Sequence, residues 1–90
     1  MKDVPAQLVP LKQRTKSFAL RIISLYEFLP KSTSAQVIGK QLLRSGTSVG
    51  AHYREAIRAK SDADLISKLE RALQELEETA TGWNCLRSLV

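Results

Sequence analysis

The sequence predicts an all-α protein, an antiparallel up-down helical bundle with three helices present, and three observations carry that reading. Apolar residues recur at steps of three and four through three long segments of the 90 residues. The links between those segments are short and marked by Pro30 and by Ser61–Asp62. Nowhere does the chain show strand alternation, a glycine-rich phosphate loop or an internal repeat.

The elements follow in order. Residues 1–13 carry Pro5 and Pro10 with no sustained period, so they read as a flexible arm, and residues 14–90 as the bundle domain. From Thr15, Phe18, Ile22, Leu25, Tyr26 and Leu29 recur at helical spacing until Pro30 ends the run. In the link LPKSTSA, Ser32 or Ser34 can accept the first free N–H groups of a second helix, expected over 35–59, and so short a link favours an antiparallel neighbour. Ile38, Leu42, Ser45, Val49, His52 and Ala56 form its heptad seam. Ser61 is a natural N-cap with Asp64 three residues later, so a third helix starts there. Its expected seam is Leu65, Leu69, Ala72, Leu76, Thr79, Trp83, Leu86 and Val90.

Composition narrows the function classes. The lone Cys85 forms no internal disulfide, and with one histidine in the chain no zinc site can be assembled, which fits a cytoplasmic protein without cofactor or metal. No segment approaches the ~20 apolar residues of a membrane span, and no secretory leader is visible, so no membrane partner is expected. The net charge of +5 conceals an asymmetry: residues 1–60 hold eleven Lys/Arg against three acids, whereas residues 61–90 hold three against six. Such polarity suits nucleic-acid binding, and equally a basic helix packed beside an acidic one.

The chemistry concentrates in GKQLLRSGTSVGAHYREA, residues 39–56. On a helical projection Lys40, Arg44, Arg54 and Arg58 share one stripe with Thr47 and Ala51, opposite the seam. That stripe reads either as a phosphate-tracking surface or as a solvated outer face. Gly39, Gly46 and Gly50 share a flank; each costs about 0.8–1 kcal/mol against alanine in a helix, so close approach of another helix is expected to offset them. On the other flank Gln41, Ser48, His52 and Glu55, with Arg44, are expected to form a polar layer with acids of helix three such as Glu75 or Glu78. One histidine without a second ligand or a paired nucleophile makes no catalytic or metal centre, so an enzyme lacks its parts.

LPKSTSAQVIGKQLLRSGTSVGAHYREAIRAKSDADLISKLERALQELEET closely resembles the four helix bundle family also described as proteins encoded in 23S ribosomal RNA intervening sequences. The most specific part is QLLRSGTSVGAHYREA-RAKS followed by LISKLE and ELEET. The resemblance implies an up-down bundle of four helices and no family-wide enzymatic activity. Members similar to the accessory protein of diversity-generating retroelements are homopentamers with a basic surface, associated with RNA or other nucleic acid and with a reverse transcriptase. Self-association and a structured RNA partner are therefore expected here. Gln41, Arg44, Ser48 and Glu55 match the family's polar pattern, whereas His52 stands where the family usually has asparagine.

The tail departs further, reading ETATGWNCLRSLV where relatives commonly read ETxYWLELL and continue through a fourth helix. Ala-Thr-Gly-Trp-Asn-Cys can be encoded by GCT ACT GGC TGG AAC TGC, and reading from its third base gives Tyr-Trp-Leu-Glu-Leu. The expectation is a one-base loss just after Thr79, which leaves the bundle truncated, without its fourth helix, and Trp83 and Cys85 without an inherited role. Sequencing the coding DNA tests it: an intact fourth helix in another downstream frame supports the shift, and none there refutes it. The alternatives to an RNA-binding module are a protein-interaction scaffold using the same basic face and a non-functional fragment.

Overall fold

The computed structural model describes residues 9–89, which form three helices: α1 (Val9–Glu27), α2 (Thr33–Ile57) and α3 (Asp62–Leu89). Helix α1 begins earlier than the sequence suggests, so residues 9–13 of the expected arm are helical, and residues 1–8 of that arm lie outside the described residues. Pro10 sits in the first turn, where no intrahelical N–H bond is required and its fixed φ suits the helix. Ser32 caps α2, its Oγ accepting from the Ala35 N–H at 3.3 Å, which starts the helix two residues before the expected position. At the far end Arg58 closes α2 by donating its N–H to Glu55 O and Ala56 O, so the helix stops short of Ala59. Ser61 Oγ accepts from the Asp64 N–H at 3.1 Å, and Asp62 and Asp64 occupy the first turn of α3. From there α3 continues unbroken across Thr79 and Gly82 to Leu89.

Helix α2 is central, packed by one side on α1 and by another on α3, while α1 and α3 form no seam of their own. Ile22, Ala35, Leu42 and Leu86 make the buried core, with Phe18, Leu25, Leu29, Ile38 and Leu43 packed around it. Along the expected α2 seam Leu42, Ser45, Val49 and Ala56 are buried, and Ile38 and His52 are half-buried.

The single seam expected on α3 divides into two faces. Ala72, Thr79 and Leu86 are buried against α2. Leu69, Leu76 and Trp83, at 37%, 42% and 42% exposed, turn instead toward a second stripe with Ile66 and Leu73, and Val90 lies outside the described residues. The cause is breadth: α3 is apolar over an arc wider than one neighbouring helix covers.

The three glycines of α2 face α1 but differ in how much room they have. A Cβ at Gly46 would lie 2.9–3.2 Å from three atoms of the stiff Ile22 side chain, and one at Gly39 would meet Leu29 and the Tyr26 ring at 2.5–3.2 Å. Gly50 would place its Cβ 3.4 Å from Thr15, an ordinary contact. Close helix approach therefore requires Gly46, whereas the nearest atom at Gly39 is the movable end of the Leu29 side chain, and Gly50 is not required by space.

Candidate nucleic-acid interface

The polar layer lies in the α2–α3 seam and is held at its centre by two hydroxyls. Ser45 Oγ and Thr79 Oγ1 are buried and 2.8 Å apart, and Thr79 also donates to Glu75 O at 2.8 Å. With one proton each, either Thr79 donates to Glu75 O and Ser45 to Thr79, or Ser45 donates to Leu42 O at 3.3 Å and Thr79 to Ser45. Both residues were legible as polar members of apolar seams, but their pairing follows only from the register of two helices.

Arg44 stands on the α3 side of the basic stripe and leaves it. Its guanidinium donates to Glu75 Oε2 at 3.4 Å and to Glu78 Oε1 at 3.1 Å, bridging an almost buried carboxylate and an exposed one. This tie is the one expected between Arg44 and the acids of α3, and the Arg44 side chain stays 60% exposed beside them. Glu55, expected to meet an acid, instead pairs with Lys68 at 3.1 Å, and that hydrogen bond and charge hold its carboxyl below the usual range. Gln41 is exposed and lines an open depression beside Arg44, and Ser48 donates back to Arg44 O at 2.7 Å. His52 faces the seam with Nδ1 buried and unpartnered. The expected layer of Gln41, Arg44, His52 and Glu55 is thus narrower in the structure, with Arg44, Glu75, Glu78, Ser45 and Thr79 joined.

On the opposite side of the stripe, Arg54 turns toward α1 and shares a surface depression with Lys12, Gln13 and Lys16. Lys40 and Arg58 are exposed on the same outer part of α2. Lys12 and Lys16 are four residues apart, about 6 Å along one helix face, and no acid among the described residues lines the depression. Sequence reasoning did not assign either lysine to a site: Lys12 fell in the expected arm and Lys16 was on helix one, so their i, i+4 relation across that boundary went unread. Among the described residues no group of three His, Cys, Asp or Glu could hold a metal, and no helix is long and apolar enough to cross a membrane.

Comparison with known proteins agrees with this architecture. The family described as 23S rRNA-intervening sequence protein matches residues 9–89, a span that runs past Thr79 to the end of α3. A crystal structure from Bacteroides thetaiotaomicron VPI-5482, described as a protein with unknown function from the S23 ribosomal protein family, is similar at 44% identity and a TM-score of 0.83. The similarity covers 91% of this chain and 73% of that one. No curated protein matches.

Proposed function

Because the chain belongs to the 23S rRNA-intervening sequence protein family, we propose that it is a non-enzymatic helical module of the cytoplasm that grips the phosphates of structured RNA through the outer face of α1 and α2. The observation that carries this reading is the convergence of Lys12 and Lys16 from one helix with Arg54 from the next, without an acid among the described residues that line their depression. Lys40 and Arg58 extend that charge along α2. Cations held on two packed helices keep their spacing without the ordering cost that a disordered basic tail meets on binding.

The lining of this depression contains no aromatic residue, so contact with phosphate rather than base stacking supplies the affinity. Recognition then follows the shape of a folded RNA more than its sequence. Arg44 contributes less in this reading than the unpaired cations, because it already reaches Glu75 and Glu78. A gel-shift titration of the 90-residue chain with a structured RNA at two salt concentrations tests the proposal. Binding at low salt that weakens at high salt is the expected result, and no shift at low salt rejects it.

A further inference from the structure

The depression between α1 and α2 gathers three cations around one point. Arg54 is half-buried there: its Nη2 lies 3.8 Å from where a Cβ on Gly50 would stand, and Thr15 of α1 comes within 3.4 Å of the same point. The guanidinium thus lies over the bare backbone of Gly50, in the cleft between the two helices. Lys12 and Lys16, one turn apart on α1, line the cleft with the Gln13 amide, while Thr15 turns its hydroxyl back to Lys12 O at 3.0 Å. Among the described residues none of the three cations has an ion pair.

The other exposed cations of this face are spread out. Arg58 stands one turn beyond Arg54, and Lys40 lies about 21 Å back along α2, with the uncharged Thr47 and Ala51 between. Spaced cations suit the successive phosphodiesters of a nucleic-acid chain, each of which brings one negative charge and two unshared oxygens. Three cations around one depression are a different requirement: they repel one another, and a single diester offsets the charge of only one. A terminal phosphate monoester carries a charge of about −1.5 to −2 at pH 7 and three strong acceptor oxygens.

We propose, resting on the RNA reading of this same face, that the depression of Lys12, Lys16 and Arg54 binds the phosphorylated end of an RNA strand. The planar fork of Arg54 takes two of the phosphate oxygens from the α2 side, and the two ammoniums meet the phosphate from α1 as point charges. At about 540 Å³ the depression has the size of a small-ligand site, and Gln13 supplies an amide for the ribose hydroxyls. No aromatic residue lines it, so the terminal base is held without stacking and its identity matters little. Lys40 and Arg58 then take diesters of the chain that continues from the bound end along α2.

Fluorescence anisotropy at low salt with one structured RNA in three end forms tests the proposal: a 5′-phosphate, a 3′-phosphate, and hydroxyls at both ends. At least one phosphorylated form is expected to bind the unmodified chain roughly tenfold tighter than the hydroxyl form, and which one does so identifies the end. Lys12→Gln with Lys16→Gln and Arg54→Gln should bring that ratio to about one with helix content kept by circular dichroism. Lys40→Gln with Arg58→Gln should instead weaken every form by a common factor and keep the ratio. Arg54→Lys, which retains the charge without the fork, should retain only part of it. Equal affinity of the three forms for the unmodified chain overturns end recognition while leaving phosphate binding along the face intact, and so does a ratio that survives in the triple variant. No binding of any form rejects the RNA reading itself, and end recognition with it.

Discussion

At Gly46 a missing methyl group decides how closely two helices approach. Alanine would gain about 1 kcal/mol of helix propensity at either Gly46 or Gly50, but at Gly46 its Cβ would press on Ile22 at 2.9 Å, and a β-branched side chain in a packed seam cannot swing away. We expect Gly46→Ala to destabilise the fold by about 1–2 kcal/mol and Gly50→Ala to stabilise it by up to about 1 kcal/mol, read by urea denaturation. Equal effects at the two positions would contradict the helix approach described. The sequence showed three glycines on one flank but could not rank them, because the ranking belongs to the opposing side chains. Thr15 yields ordinary contact distance and Ile22 does not. Likewise Ser45 and Thr79 were visible as hydroxyls in apolar seams, and their 2.8 Å pairing became visible only with the register of the two helices.

The elements were legible where a strong signal ended them. Ser32 and Ser61 cap α2 and α3 because their side chains accept orphan N–H groups that no backbone carbonyl can reach, a requirement readable from local sequence. Pro10 misled at α1, since a proline forbidden in a helix interior is welcome in a first turn. Helix α3 misled in another way: apolar residues spread over a wide arc make one seam on paper, and only the position of α2 divides Ala72, Thr79 and Leu86 from Leu69, Leu76 and Trp83. Arg44 joins these two helices by reaching Glu75 and Glu78. Arg44→Met keeps the apolar stem and removes the charge, leaving the nearly buried Glu75 carboxylate without that partner. The expected cost is about 1–2 kcal/mol, moderated by solvent at the exposed guanidinium, with RNA affinity unchanged. Loss of RNA affinity without loss of stability would return Arg44 to the phosphate-binding face.

For the whole molecule, shape and charge point the same way. The chain measures 47 × 21 × 15 Å with a radius of gyration of 14.7 Å, against about 12 Å for a compact chain of this length. The excess reflects the length of the helices, the 28 residues of α3 alone spanning about 42 Å. Its charge is divided by element: α1 and α2 carry most of the cations, α3 carries most of the acids, and Arg44 reaches two of those acids across the α2–α3 seam. What remains exposed is a basic outer face of α1 and α2 and an apolar stripe of Ile66, Leu69, Leu73, Leu76 and Trp83 along α3. The salt dependence of affinity for a structured RNA, compared between the unmodified chain and Lys12→Gln/Lys16→Gln/Arg54→Gln, tests the central claim most directly. The account predicts a plot of log affinity against log salt that is shallower by about 2–3 in the triple variant, with affinity reduced at every salt concentration. Parallel lines of equal affinity, or no binding by the unmodified chain at low salt, would contradict it.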